Sequence, residues 1–442
     1  QQTTRTCQIC IKLIPPTSSI YNNYIEYRGG FIAFNALSMG LLYLAPKLME
    51  LINFNQPKDL ENIHPDFYSA LKVNGFLCEN NIDEFKYAAN LIQSINNDTK
   101  SYRLIVNPTT NCNFHCWYCY ENHGKINKMR DEIQERVCLH IKQIMSKKDL
   151  EHFQLSFFGG EPLLYYSEVM LPIAKYAKDC ATTYHKDYAM DITSNAYLFN
   201  SCRLEKLRGL GLASCQITLD GNKEKHNKTR FPHKNIGSYS TIIHNIHSAV
   251  ELGIEVVLRI NYTQENLSDL ELIFKDFDDL STEKRKLITL SMNKVWQETN
   301  KNLDDSVNRF IDLAEEFGFT IPDAVLEDHV RNSCYADKVN EAVINFDGKV
   351  YKCNARDFTD ERQEGMLDSD GNIIWNSLHS KRNEVRIQNK QCKQCSVFPI
   401  CGGGCSQIAL ENAGKDYCIG KEGMEESIKH MFLSNYCIKR NI

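Results

Sequence analysis

The sequence predicts an α/β fold built from a parallel sheet with helices packed outside it. From Tyr102 onward, segments rich in β-branched and aromatic residues alternate with amphipathic helical segments. Repeated βα units join parallel strands by right-handed crossovers, so the loops that follow the strands meet at one edge of the sheet. The predicted strands are 103–106, 153–158, 188–193, 213–219, 255–262 and 287–292, and the predicted helices include 131–145, 169–182 and 239–252.

The composition is that of an ordinary globular protein and argues against several classes of partner. The chain has 442 residues, 42% of them hydrophobic and 24% charged, enough for two or three domains. Its net charge of −5 offers no general basic field for nucleic acid. No apolar run approaches the length of a membrane span, and the start has no signal-peptide pattern. We therefore expect no nucleic-acid partner and no membrane attachment.

Cysteine usage is the strongest chemical signal in the chain. Eighteen cysteines in a long chain without a secretory signal indicate metal binding rather than disulfides. Cys112, Cys116 and Cys119 form a C-x3-C-x2-C loop directly after the first predicted strand. Three thiolates on a four-iron cluster leave one iron open to a ligand that is not protein. A zinc knuckle is the alternative, but zinc prefers four ligands in two pairs, and no fourth ligand is evident nearby.

This loop resembles the signature of radical S-adenosylmethionine (SAM) enzymes. The resemblance implies a partial (β/α)6 barrel, with SAM chelated at the open iron and cleaved reductively to a 5′-deoxyadenosyl radical. It also implies that an aromatic residue of the loop stacks on the adenine and that a glycine-rich strand end receives the SAM amino group. The cofactor-binding residues that it indicates are Tyr118, Gly159, Gly160, Glu161, Thr193, Ser194, Asn195, Arg259 and Asn261.

A second set of cysteines lies near the C-terminus, with the pattern C…G-x4-C, gap, C-x2-C-x5-C-x3-C, gap, C. The order resembles the SPASM domain, which binds two auxiliary [4Fe–4S] clusters. By that resemblance Cys334, Cys353 and Cys405 ligate the first auxiliary cluster, and Cys392, Cys395, Cys401 and Cys418 ligate the second. Zinc is the alternative for the second set, and Cys437 is the alternative to Cys418.

Two departures from the family pattern bear on the reaction. No further cysteine stands between Cys215 and Cys334. The resemblance therefore leaves two alternatives for the first auxiliary cluster, an open iron able to bind a substrate thiolate or a ligand that is not cysteine. Anaerobic sulfatase maturases carry an aspartate directly after the cysteine that matches Cys353, where this chain has Asn354. Asp357, three residues later, is the candidate catalytic base.

The N-terminal region predicts a small module of a hairpin and helices. A β-hairpin with a Gly-Gly turn is predicted over 21–35, helices over 45–52, 65–73 and 83–96, and an extended stretch over 75–78. The module resembles the winged-helix, PqqD-like recognition element of enzymes that modify ribosomal peptides. Its strand edge would capture a precursor's leader by strand addition. A plain packing domain is the alternative. Cys7 and Cys10 form a C-x2-C pair without an assigned role.

The interpretation is a cytoplasmic radical SAM/SPASM maturase that installs a thioether or carbon–carbon crosslink in a ribosomally made precursor peptide. We expect three [4Fe–4S] clusters, SAM, and an electron donor such as flavodoxin or ferredoxin. The expected domains are an extension over 1–20, the recognition module over 21–98, the barrel over 99–320 and the SPASM domain over 321–442. The alternatives are a sulfatase-maturase-like oxidase that makes formylglycine, and a non-catalytic iron–sulfur or zinc scaffold that binds peptide.

Overall fold

The structure is a computed structural model, described for residues 17–79, 82–121, 123, 127–233, 235–300, 303–322, 334–412, 417, 418 and 428. Cys7, Cys10 and Cys437 lie outside the described residues. The chain divides into two compact units, each discontinuous in sequence. The first comprises Gln1–Asn96, Ala324–Cys334 and Arg382–Ile442, and the second comprises Asn97–Asp323 and Tyr335–Lys381.

The first unit starts with two small sheets and four helices. Strands β1 and β5 pair with each other, and β2, β3 and β4 form an antiparallel sheet in that order. Helices α1, α2 and α3 each begin at a proline, whose fixed φ suits the first helical position. The bounds are β1 Thr17–Ser18, β2 Asn22–Tyr27, β3 Gly30–Asn35, β4 Leu41–Leu44, α1 Pro46–Phe54, α2 Pro57–Ile63, α3 Pro65–Val73, β5 Leu77–Cys78 and α4 Glu84–Asn96.

The predicted hairpin is confirmed, but its turn is shifted by one residue. Arg28 and Gly29 occupy the centre of the turn with φ of 46° and 76°, the positive values that a tight hairpin turn needs. Gly30 is instead the first residue of β3 and pairs with Tyr27. A Cβ at Gly30 would lie 2.5 Å from the hydroxyl oxygen of Tyr43 on β4, so close packing requires the second glycine. Strand β4 and helix α2 are not predicted by the sequence.

A ten-stranded sheet forms the centre of the second unit, in the order β11-β10-β9-β8-β7-β6-β12-β13-β14-β15. The strands from β11 to β12 in this order pair parallel, and each pairing from β12 through β13 and β14 to β15 is antiparallel. The strands are β6 Ser101–Val106, β7 His152–Phe157, β8 Asp187–Ser194, β9 Leu212–Leu219, β10 Glu255–Tyr262, β11 Ile288–Lys294, β12 Glu341–Ile344, β13 Lys349–Tyr351, β14 Gly365–Leu367 and β15 Ile373–Trp375. The helices are α5 Asp131–Met145, α6 Leu171–Tyr184, α7 Ser201–Gly209, α8 Lys223–Thr229, α9 Tyr239–Glu251, α10 Gln264–Leu267, α11 Thr282–Arg285 and α12 Asp304–Phe317.

All six predicted strands of the parallel sheet are confirmed, with ends within two residues of the predicted ones. The three predicted helices correspond to α5, α6 and α9. Alternate residues of these strands and one face of each of the helices α5, α6 and α9 are buried in a single apolar core. This is the pattern that the hydrophobic periods of strands and helices in the sequence predict. Strands β12 to β15 extend this same sheet, so the range 321–442 contains residues of both units.

A buried histidine holds the β14–β15 turn onto α5. The Nδ1–H of His140 donates to the carbonyl oxygen of Gly371 at 2.8 Å. Its Nε2 is therefore free to accept from the hydroxyl of Tyr102 on β6, also at 2.8 Å. Burial lowers the pKa of His140 to about 4, so the imidazole stays neutral over the physiological range.

The first unit is completed by the cysteine-rich C-terminal segment. This segment contains helices α14 Phe398–Cys401 and α15 Ser406–Glu411, and α13 Ser377–Gln388 precedes it. Ile25, Ile32 and Phe34 of the N-terminal sheet share one apolar cluster with Phe398 and Ile400. The hydroxyl of Ser396 donates to the side-chain oxygen of Asn23 at 2.6 Å, and the rings of Phe85 and Phe398 lie 4.7 Å apart. Two stretches from opposite ends of the chain thus form one core.

Across the described ranges, no helix combines the length and the apolar character that crossing a bilayer requires.

Candidate active site

A cavity of about 210 Å³ lies at the carboxyl ends of the parallel strands in the second unit. Cys112, Cys116 and Cys119 line it, as the position of their loop after β6 predicts. Groups from each of the next five strand ends line it as well: Gly159, Gly160, Thr193, Ser194, Asn195, Gln216, Thr218, Arg259, Asn261 and Lys294. The strand-end loops therefore meet at one cavity, as predicted. All the predicted cofactor-binding residues line it except Glu161.

The environment of the three thiols fits sulfur ligands to a cluster. Burial, with a contribution from Glu161, raises the pKa of Cys112 to about 12, so the thiolate form needs a compensating positive partner such as iron. The backbone N–H of Phe114 points at the sulfur of Cys112 at 3.4 Å, as suits a charged sulfur. Among the described residues, no three Cys, His, Asp or Glu side chains converge on a single-ion site. In a four-iron cluster each cysteine binds a different iron, so such convergence is not required.

The glycine turn after β7 is held tightly against the cysteine loop. The N–H of Glu161 donates to the carbonyl oxygen of Asn111 at 2.7 Å. A Cβ at Gly160 would lie 1.9 Å from that oxygen, so only glycine fits there. The N–H of Gly160 donates to the Glu121 carboxylate at 2.7 Å. The turn and the loop are therefore fixed relative to each other before any ligand binds.

Glu161 was expected to bind cofactor, but its side chain points away from the cavity. The carboxylate is fully buried and accepts hydrogen bonds from the N–H groups of Leu163 and Asn195 and from the hydroxyl of Ser194. Burial raises its pKa to about 7, against the effect of these bonds. Glu161 thus joins the end of β7 to the end of β8 through these hydrogen bonds.

The hydroxyl of Tyr118 is the centre of a buried hydrogen-bond network. It donates to the Asp220 carboxylate at 2.6 Å and accepts from Arg230 at 2.8 Å and from Asn261 at 3.1 Å. Arg230 is a buried cation, and its Nε has no hydrogen-bond partner among the residues that the structure describes. Asn261, a predicted cofactor residue, therefore acts on the aromatic residue of the loop. The network fixes the orientation of the Tyr118 ring at the cavity wall.

The cavity is lined by charged residues, of which only Arg259 is among the predicted cofactor-binding residues. Arg230, Arg259 and Lys294 line it with one carboxylate, Glu121, whose pKa burial raises to about 7. His123 places its Nε2 3.3 Å from the sulfur of Cys119 while its Nδ1 contacts the carbonyl oxygen of Thr110 at 2.5 Å. Glu121 and His123 lie just beyond the motif, where spacing gives no signal. Lys294 ends β11, and the rule that strand ends form the site would have found it.

Cys353 lies in the second unit, near the cysteine loop. The hydroxyl of Tyr120 donates to the carbonyl oxygen of Asn354 at 2.9 Å, and the side-chain oxygen of Asn354 accepts from Tyr335. The sulfur of Cys353 accepts from the N–H of Ala355, which itself lines the cavity, at 3.4 Å. Asp357 does not line the cavity, but its charge contributes to the raised pKa of Glu121. The other cysteines predicted for the first auxiliary cluster, Cys334 and Cys405, belong to the first unit.

A second cavity, of about 240 Å³, lies in the cysteine-rich segment of the first unit. All four cysteines predicted for the second auxiliary cluster line it: Cys392, Cys395, Cys401 and Cys418. None of its described lining residues carries a formal charge. Burial raises the pKa of Cys392 to about 11, so a thiolate at this position would need a compensating cation. The donor set fits a centre whose protein ligands are complete.

Comparison with known proteins agrees with this geometry. Residues 106–277 match the family model of the radical SAM superfamily. A cysteine-type anaerobic sulfatase-maturating enzyme from Clostridium novyi (strain NT) is 25% identical over 357 residues, covering 69% of this chain and 88% of that protein. The solved structure of native anSMEcpe with bound AdoMet shares the fold with a TM-score of 0.57 and 18% identity, covering 76% of this chain and 98% of that one.

The solved structure of Streptococcus suis SuiB bound to precursor peptide SuiA also shares the fold. Its TM-score is 0.52 at 15% identity, and the match covers 92% of this chain and 99% of that one. The family implies a [4Fe–4S] cluster and SAM, and the cysteine loop and the cavity supply fitting ligands for both. The match over residues 106–277 identifies a radical SAM domain within this chain.

Proposed function

We propose that this enzyme is a maturase that crosslinks a ribosomally made peptide through a thioether or a carbon–carbon bond. The observation that carries the proposal is the first unit, in which an N-terminal sheet module shares one core with a four-cysteine segment. The fold shared with SuiB extends over that unit, whereas the fold shared with the sulfatase maturase covers less of the chain. SuiB is described as binding a precursor peptide, and we assign this chain a substrate of the same class.

The residues of the first cavity are assigned roles toward the cluster and SAM. Cys112, Cys116 and Cys119 hold the cluster, and bound SAM supplies a radical able to abstract hydrogen from an unactivated carbon. Tyr118, oriented by its buried network, packs on the adenine. The backbone around Gly160 and the carboxylate of Glu121 meet the amino group, since opposite charges attract most strongly where water is excluded.

Crosslinking removes two hydrogens from the peptide, and each must have a destination. One leaves as a hydrogen atom to the SAM-derived radical. The other leaves as a proton and an electron when the new bond forms. Asp357 is the proposed acceptor of the proton, and a cysteine-held auxiliary cluster is the proposed acceptor of the electron. Together with the cluster at the cysteine loop, the auxiliary centres make three clusters. A flavodoxin or ferredoxin is the proposed donor of the initiating electron.

The N-terminal module is the proposed site of leader binding. The sheet β2-β3-β4 has two edge strands, and an extended peptide can add to an open edge through main-chain hydrogen bonds. This mode gives affinity with little demand on leader sequence. It leaves the segment to be modified free to reach a catalytic cavity.

The proposal is tested by anaerobic reconstitution followed by co-expression with short peptides encoded near the gene. We expect iron and sulfide for three clusters, 5′-deoxyadenosine when SAM and dithionite are added, and a peptide that loses the mass of two hydrogens. Iron for a single cluster would contradict the three-cluster assignment. A peptide that binds and triggers SAM cleavage without changing mass would point to epimerisation instead.

The second candidate is formylglycine formation on a sulfatase. It is favoured by the 25% identity to the Clostridium novyi enzyme and disfavoured by Asn354, whose side-chain oxygen accepts from Tyr335. Incubation with a sulfatase peptide containing the target cysteine or serine distinguishes the two candidates, because only a maturase of sulfatases would convert that residue to an aldehyde. A non-catalytic scaffold is not proposed, since the chain is an enzyme of this superfamily.

A further inference from the structure

Asn195, at the end of β8, hydrogen-bonds a cysteine of the active-site loop. Its side-chain Nδ2 lies 3.7 Å from the sulfur of Cys112 and 2.8 Å from the side-chain oxygen of Asn113. Its Oδ1 accepts from the N–H of Tyr197 at 3.0 Å. The residue is 6% exposed.

These contacts fix which end of the amide faces the sulfur. The oxygen must face the N–H of Tyr197, and the nitrogen must face the acceptor oxygen of Asn113, so the opposite orientation would break both bonds. The backbone of Asn195 is held as well, because its N–H donates to the fully buried carboxylate of Glu161 at 2.8 Å. Both amide hydrogens and the oxygen already have partners within the protein, so the side chain has little capacity left for the hydroxyls of a ribose.

We propose that Asn195 is a positioning residue that acts through Cys112 and sets the reduction potential of the cluster on the cysteine loop. The inference rests on the proposed function in one respect, that a cluster is held by Cys112. Reduction adds negative charge to a cluster and its sulfurs, and an N–H donor on a ligand sulfur stabilises that charge. Asn195 therefore raises the potential and makes the cluster easier to reduce.

The effect is partial, since a second donor stays in place. The backbone N–H of Phe114 lies 3.4 Å from the same sulfur, and a substitution of Asn195 does not remove this donor. Loss of the Asn195 amide thus shifts the potential without freeing Cys112 of all hydrogen bonds. Because this donor stays in place, we expect a variant of Asn195 to bind its cluster normally.

The test is a redox titration of the reconstituted holoenzyme, followed by EPR. The signal that changes when SAM is added identifies the cluster of the cysteine loop. Asn195→Leu keeps the size of the side chain and removes the donor. At the potential where the wild-type cluster is half reduced, we expect the ratio of reduced to oxidised cluster in this variant to fall about tenfold, equivalent to about 59 mV for one electron. We expect the SAM dissociation constant to change by less than threefold.

Two further variants keep the test decisive. Asn113→Ala removes the other acceptor of the same amide, whose oxygen also lies 3.9 Å from the sulfur of Cys112, and leaves the contact between Asn195 and Cys112. Because it removes an acceptor and not a donor, its potential should not fall below that of the wild type. If Asn195→Leu fails to fold, Asn195→Ser removes the amide with a smaller polar side chain and should lower the potential in the same direction.

An unchanged potential in a normally loaded Asn195→Leu enzyme overturns the inference. So does a tenfold loss of SAM affinity at unchanged potential, which would make Asn195 a cofactor ligand. Both results leave the proposed function standing, whereas a wild-type enzyme that loads no cluster or forms no 5′-deoxyadenosine overturns both.

Discussion

The two cysteine cavities contain similar ligands in opposite surroundings. In the second unit, three cysteines share a cavity with Arg230, Arg259, Lys294 and Glu121. In the first unit, four cysteines line a cavity of similar volume, and none of its described lining residues is charged. A complete ligand set without charged neighbours suits a centre that only passes electrons. An incomplete set among fixed charges suits a centre that must bind and orient a charged small molecule.

The sharpest test of this contrast is the removal of one cysteine from each cavity. Cys116→Ala should abolish the formation of 5′-deoxyadenosine, because the cluster that binds SAM loses one of only three ligands. Cys401→Ala should lower the iron content by about one cluster and still allow SAM cleavage under dithionite. The readouts are iron content and chromatographic detection of 5′-deoxyadenosine. Cys202→Ala, an exposed cysteine outside both cavities, should retain both properties. If Cys116→Ala and Cys401→Ala lost SAM cleavage equally, the two cavities would not differ in function as proposed.

A core substitution should separate the stability of the two regions. Phe398 is 1% exposed and packs on Phe85, so Phe398→Ala should destabilise the first unit by about 3–4 kcal/mol. Hydrogen exchange in β2 and β3 should accelerate as a result. All three tryptophans, Trp117, Trp296 and Trp375, belong to the second unit, and their fluorescence reports its unfolding. If Phe398→Ala shifted the unfolding transition seen by tryptophan fluorescence as much as it destabilises the first unit, the two units would unfold together.

Acid should act on the second unit through His140. Its pKa is about 4 in the folded protein and about 6.5 when unfolded, so the unfolded chain binds more protons between these values. The stabilisation is complete above pH 6.5 and falls as the pH drops, by about 2 kcal/mol at pH 5. The raised pKa values of Glu121 and Glu161 act in the opposite direction over this range, so the loss is measured by comparing the wild type with His140→Gln. In urea unfolding followed by tryptophan fluorescence, the change in stability from pH 7 to pH 5 should be about 2 kcal/mol more favourable in His140→Gln than in the wild type. An identical change in the two proteins would show that His140 does not contribute.

The smallest expected effect concerns the charge pattern of the first cavity. Glu121→Gln keeps an acceptor for the Gly160 N–H and removes the negative charge. SAM has a net positive charge, so its affinity should fall about fivefold, or about 1 kcal/mol. Equilibrium binding of SAM to the reconstituted enzyme measures this. Glu132→Gln, on the exposed side of α5, should bind SAM as the wild type does. A wild-type affinity in Glu121→Gln would remove this carboxylate from the SAM site.

Local patterns predicted much of the catalytic unit. The alternation of strands and helices, the loop of Cys112, Cys116 and Cys119, and the strand-end glycines are encoded over short stretches, and the structure brings them to one cavity. The resemblance to the SPASM domain likewise grouped Cys392, Cys395, Cys401 and Cys418, which line one cavity.

Features that depend on distant pairing were not predicted. Strand β12 joins β6 across more than 200 positions, and nothing in its four-residue sequence specifies that neighbour. The inward turn of the Glu161 carboxylate depends on donors from the next strand, Ser194 and Asn195. The joint core of the first unit depends on contacts between the two ends of the chain. Hydrophobic periodicity predicts which face of a strand or helix is buried, but it does not predict which other element packs on that face.

The contact between Asn23 and Ser396 joins residues 373 positions apart, and this has a consequence for biosynthesis. At about 5–20 residues per second, a ribosome needs about 20–75 s to make the segment that covers the N-terminal sheet. During that interval the apolar side of the sheet, including Phe34, is not yet covered by Phe398 and Ile400. The nascent chain therefore exposes an apolar surface until the segment around Ser396 has been synthesised, and chaperone supply should limit the yield of this protein in a foreign host.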